Sequence, residues 1–150
     1  MILGMHHAAI AVPDLAEGVR FYGDVVGFEV VDEIALPGGI APLAQAFGID
    51  DSACQVRMMR KGNSFIELFE YGASEDGDPD RPVNRIGITH IALASDDPEG
   101  DYTRLSEGGV AFNAPLFGAA PTRFAYGRDP FGNVIELIEH GEGDTARRFD

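Results

Sequence analysis

Two stretches of this 150-residue chain repeat each other, and that duplication constrains the fold more than any other feature. His7-Ala-Ala-Ile-Ala-Val leads to Asp14, and His90-Ile-Ala-Leu-Ala-Ser leads to Asp97. In both, a histidine in an apolar run precedes by seven residues an aspartate suited to capping a helix. Further on, Ile66-Glu67-Leu68-Phe69-Glu70 matches Ile135-Glu136-Leu137-Ile138-Glu139. The intervals are 60 residues (7 to 67) and 46 residues (90 to 136), and the extra 14 fit a Gly/Pro-rich loop near 37–52. A chain of this length makes about one domain, so the repeats are two half-size modules rather than two domains.

Periodicity fills in each module. Residues 5–12 are small and apolar and end at Pro13, as a buried strand does. Leu15, Val19, Tyr22 and Val26 follow at helical spacing, and Gly27 closes the helix. Strands are expected over 28–36, 53–59 and 64–71, with a short helix at 43–47 and a hairpin turn at Lys61-Gly62-Asn63. The second module repeats this with strands over 87–94, 110–113, 122–128 and 133–140. Its helix starts at Asp97-Pro98 and ends at Gly108-Gly109. The expected organisation is a first βαβββ module over 1–72, a polar linker over 73–86, a second βαβββ module over 87–140 and a flexible tail over 141–150. The class is α+β.

Charge narrows the partners. Acids outnumber bases 25 to 11, for a net charge of −14, which repels phosphate backbones and anionic lipid, so neither nucleic acid nor a membrane surface is expected as a partner. No stretch approaches the roughly 20 apolar residues of a membrane helix. Cys54 is the single cysteine, so no internal disulfide forms, and a reducing compartment, the cytoplasm, is expected. Cys54 falls mid-strand, where a buried, inert thiol is expected.

The duplication sets one histidine and one glutamate at equivalent places in each module. If the modules pack with approximate two-fold symmetry, His7, Glu67, His90 and Glu136 converge. Two imidazoles and two carboxylates suit one divalent transition metal ion such as Zn, Ni, Co, Mn or Fe. The alternative is a pair of solvent-facing glutamates and two ordinary histidines. Strand alternation puts Glu67 opposite Ile66 and Leu68, so its face is either solvent or the floor of a polar cavity. His7 rather than His6 aligns with His90, and alternation directs His6 to the other face. Arg57, Arg123 and Arg128 lie on or beside strands and could bind a carboxylate or phosphate of a substrate. Tyr126 lies two residues before Arg128. Gly132-Asn133 is assigned to a turn.

The segments HHAAIAVPDLAEGVRFYGDVVGFEVV, SFIELFEY, GITHIALASDD and YGRDPFGNVIELIEH, in this order and spacing, span nearly the whole chain. In them the chain resembles the vicinal oxygen chelate superfamily of glyoxalase I, methylmalonyl-CoA epimerase, extradiol dioxygenases and bleomycin-resistance proteins. The resemblance implies paired βαβββ modules whose curved mixed sheets enclose a metal cavity, with His7, Glu67, His90 and Glu136 as metal ligands. It also implies a homodimer, with the metal site within one chain or between subunits. The aromatic Asn-Trp-Gly segment of glyoxalase I is absent, and ELFEYGASEDGDPDRPVNRIGITHIAL looks more like a subgroup that includes cyclitol (valiolone-type) epimerases.

The expected activity is metal-dependent isomerisation, epimerisation or lysis of a small substrate with vicinal oxygens. The substrate loses a proton next to its metal-chelated carbonyl, giving an enediolate or enolate. Glu136 is the expected base, with Glu67 able to act from the other face. Substrate contacts are expected from Arg57, Arg123, Tyr126 and Arg128. The alternatives are glyoxalase I proper, an extradiol-type dioxygenase and a non-catalytic resistance protein that binds a small molecule.

Overall fold

The computed structural model describes residues 1–75 and 77–141. Apart from Gly141, the tail expected over 141–150 lies outside the described residues. The chain divides into two compact units, one running up to residue 75 and the other from Gly77 onward.

The first unit contains β1 (Ala8–Ala11), α1 (Leu15–Arg20), β2 (Glu29–Leu36), α2 (Ala41–Phe47), β3 (Cys54–Lys61) and β4 (Ser64–Tyr71). Its sheet has the order β1-β4-β3-β2, with β1 parallel to β4 and the other pairs antiparallel. The second contains β5 (Ile91–Ser95), α3 (Pro98–Glu107), β6 (Ala111–Phe112), β7 (Phe124–Arg128) and β8 (Val134–Glu139). Its order is β5-β8-β7-β6, with β5 parallel to β8. The two sheets are therefore wound alike, and the protein is a mixed α+β structure of two four-stranded mixed sheets. Parallel pairing of first and last strand needs a crossover connection, which the helix after each first strand begins.

Both helices start on the side chains expected to cap them. Asp14 accepts from the Glu17 backbone N–H at 3.0 Å, and Asp97 from that of Gly100 at 3.2 Å. The first helix departs from regular geometry after Arg20. Residues Phe21–Val25 form a wider π-helical turn, in which the Val26 N–H reaches the Phe21 carbonyl at 3.0 Å. Phe21 and Tyr22 are both fully buried there, in edge contact. Gly27 then turns the chain at φ 92°, and the Lys61 ammonium donates to the Val26 carbonyl at 2.6 Å.

Each sheet packs the face that carries the Ile–Leu pair of its last strand. In the first unit Met59, Ile66 and Leu68 are buried on it, and the Leu68 side chain reaches α1 at Gly18. In the second unit Ile135 and Leu137 are fully buried, as is Leu105 of α3. These residues flank Glu67 and Glu136, so each glutamate belongs to the opposite face of its sheet.

Element ends differ from the periodic pattern in one way that matters. β1 and β5 begin only at Ala8 and Ile91, because parallel pairing starts at Ala8↔Ile66 and Ile91↔Ile135. His7 and His90 thus stand one residue before their strands, outside strand alternation. β6 is also shorter than expected, at two residues. Asp129 is buried, and its carboxylate accepts from the backbone N–H groups of Phe131 and Asn133 and from the Asn133 side chain. Gly132-Asn133 therefore serves the turn before β8. Among the described residues no helix is long and apolar enough to cross a membrane.

Candidate metal centre

Each unit brings one histidine to one carboxylate. The pairing Ala9↔Glu67 sets Glu67 beside the start of β1, and Ala92↔Glu136 does the same at β5. His7 Nε2 lies 2.9 Å from Glu67 Oε2, and His90 Nε2 lies 3.2 Å from Glu136 Oε2. The glutamate side chains are only 14% and 12% exposed, which separates them from strand glutamates facing open water.

The other nitrogen of each ring is also engaged, by the residue directly before the histidine. His6 Nδ1 lies 2.8 Å from His7 Nδ1, and Thr89 Oγ1 lies 2.7 Å from His90 Nδ1. The expectation that His6 points away is corrected here. Alternation holds only within a strand, and His6 and His7 precede β1, so their rings meet edge to face at 5.1 Å. His6 as a partner of His7 and Thr89 as a partner of His90 were not apparent from residue type. Their shared place before the repeated histidine was the available signal.

Of the candidate substrate contacts, the structure brings Tyr126 to a pair. It lies opposite Glu136 in the β7–β8 register and meets the His90 ring in a T-shaped contact at 5.0 Å. Burial pushes its phenol above the ordinary range, and the Glu136 charge adds to this. Met58 takes the same place opposite Glu67. The arginines are engaged elsewhere. Arg57 lies opposite Leu68, out of phase with Glu67, and pairs with Glu33 at 3.2 Å. Arg123 is bonded to Glu139, with Nε and Nη2 each at 2.8 Å, and to Glu99. These bonds, that to Glu139 foremost, hold its guanidinium charged, and they lower the Glu139 carboxyl in turn. Arg128 shares the Glu136 face but donates to the carbonyls of Gly132 and Arg81. Cys54 is buried, and burial pushes its thiol up, as expected of an inert cysteine.

Among the described residues no group of three or more His, Cys, Asp or Glu side chains is gathered where it could hold a metal ion. What the structure describes is two imidazole–carboxylate pairs, one per unit. Their chemistry fits a divalent transition metal, since neutral imidazole Nε2 and carboxylate oxygen are its ordinary ligands. Each Nδ1 also has a hydrogen-bond partner, as metal-ligating histidines in general do.

Residues 4–137 match the family model of the Glyoxalase/Bleomycin resistance protein/Dioxygenase superfamily. The chain is similar to a 2-epi-5-epi-valiolone epimerase from Actinomyces sp., at 28% identity over 144 residues, covering 91% of this chain and 79% of that protein. Its fold is similar to that of a glyoxalase family protein from Bacillus cereus, with a TM-score of 0.81 at 22% identity over 93% of this chain and 95% of the other. It is also similar in fold to a fosfomycin resistance protein from Listeria monocytogenes in complex with Mn(II) and sulfate. There the TM-score is 0.67 at 18% identity, covering 98% of this chain and all of the other (100%).

Proposed function

Since the chain belongs to the Glyoxalase/Bleomycin resistance protein/Dioxygenase superfamily, we propose that it is a metal-dependent isomerase, epimerase or lyase. Its substrate is a small molecule with vicinal oxygens, which loses a proton next to a carbonyl. The observation that carries this is the duplicated imidazole–carboxylate pair, Nε2 to oxygen at 2.9 Å in one unit and 3.2 Å in the other. The epimerase among its relatives and the Mn(II) in one structural neighbour support it. The proposal includes a homodimer in the cytoplasm and, in keeping with the charge of −14, no nucleic-acid partner.

His7, Glu67, His90 and Glu136 would hold one divalent ion, whether from one chain or two. Bound there, the ion supplies Lewis-acid polarisation of the substrate carbonyl. The protein's own work is proton transfer. A glutamate carboxylate is a weak base for a C–H proton, so it needs an acidified substrate and a sheltered position. Glu136 has that position, with Tyr126 directly opposite it on the neighbouring strand. Glu136 takes the proton and passes it to solvent; Glu67, opposite Met58 rather than a tyrosine, draws one from solvent and gives it to the other side, so the pair is reset after each turnover. Return to the same carbon is epimerisation, and return to the neighbouring carbon is isomerisation.

Incubation in D₂O with metal and a panel of 2-oxo acids, acyl-CoAs, hemithioacetals and cyclitols tests this. Substrate C–H exchange is expected with the native protein, falling by about 10²- to 10⁴-fold in Glu136→Gln. Exchange unchanged in that variant, or absent across the panel with metal bound, contradicts the proposal.

A further inference from the structure

Each of the two histidines is held at both ring nitrogens, and the two Nδ1 partners come from equivalent positions but different residue types. His7 lies between His6 and Glu67, and His90 between Thr89 and Glu136. We propose that His6 and Thr89 are positioning residues. Each fixes the ring of the next histidine so that Nε2 is directed at the glutamate, and each can either give or take the hydrogen bond at Nδ1. This rests on the metal reading above and adds two residues to it.

The requirement follows from proton counting on a neutral imidazole, which carries one N–H and one lone pair. Without a metal, Nε2 faces an ionised carboxylate, which only accepts. The proton then sits on Nε2, and Nδ1 must accept from its partner. As a metal ligand, Nε2 gives its lone pair, the proton sits on Nδ1, and the partner must accept. The partner therefore has to work in both directions. A lysine only donates and an ionised carboxylate only accepts, so neither serves in both states. A hydroxyl carries a donor and lone pairs on one oxygen, so Thr89 reverses by rotating its hydrogen. An imidazole reverses by moving its proton between its nitrogens, which the exposed His6 ring can do through water. Two chemically different side chains thus meet one demand at matching places in the repeat. A merely adjacent contact gives no reason for both to be reversible partners.

Both residues are exposed, so variants at either leave the core intact. Calorimetric titration of the metal-free full chain with Zn(II), and separately Mn(II), gives the readout. Thr89→Val keeps the shape and removes the hydroxyl, and His6→Phe keeps a ring and removes its nitrogens. Each is expected to weaken metal binding by about 10- to 100-fold, while Thr89→Ser stays within roughly threefold of native. The thermal midpoints of the metal-free variants are expected to match the native one, which separates positioning from a loss of fold. Native affinity in Thr89→Val, or an equal loss in Thr89→Ser, overturns the positioning role and leaves the metal reading standing. A native chain that takes up neither ion overturns both.

Discussion

Glu67 and Glu136 face away from the packed Ile–Leu side of their sheets because of where their neighbours go. Ile66, Leu68, Ile135 and Leu137 occupy the buried face of each sheet, and that leaves the glutamates on the other. This much was legible from alternation within the two Ile-Glu-Leu runs. The partners of the histidines were not, because His6, His7, Thr89 and His90 precede their strands and no period governs them. The arginines show the same limit. Residue type marks Arg123 as a possible anion ligand, but only tertiary placement reveals Glu139 and Glu99 around it. The Arg123–Glu139 contact predicts a pH effect. Glu139 titrates below its ordinary value of 4.5, because the Arg123 hydrogen bonds favour its charged form. Its contribution to stability is therefore present above about pH 4.5 and lost as pH falls through the lower folded value. Glu139→Gln should melt below the native protein at neutral pH, with the gap closing on acidification in thermal scans. A gap independent of pH contradicts this.

Strands and helices were legible where one face is buried over a full repeat. The order of elements, both aspartate caps and the β3–β4 hairpin emerge from pattern and turn chemistry. The π-helical turn over Phe21–Val25 was not readable, because it satisfies the same apolar spacing as a regular helix. β6 is short because its pairing with β7 is confined to Ala111↔Arg128 and Phe112↔Gly127, a matter of register rather than propensity. That crowded pairing makes Gly127 a sensitive position. A Cβ there would lie 2.9 Å from both the Phe112 ring and the Val110 side chain and 3.0 Å from the Ala111 carbonyl oxygen. Gly127→Ala is expected to cost about 1–3 kcal/mol in chemical denaturation, from overpacking. Gly77→Ala, with nothing within 4 Å of the added carbon, should leave the midpoint unchanged. Equal midpoints for all three proteins would contradict the packing described for β6 and β7.

For the molecule as a whole, the duplication predicts more than two similar sheets. On the proposed function, it predicts that the two pairs act as one four-ligand set. Family membership gives the fold, and the matching residues in each unit give the donor chemistry. What the sequence could not supply is the reaction outcome, since the proposed ligand set would serve isomerisation and epimerisation alike. The charge of −14 falls largely outside these pairs, which hold two of the 25 acidic residues. The most direct test is a metal-binding stoichiometry of the native chain beside His7→Ala and His90→Ala, measured by mass spectrometry of metal content and by titration. One ion per chain in the native protein, lost from both variants, is the predicted result. Retention of tight binding by either single variant would contradict a site built from both pairs.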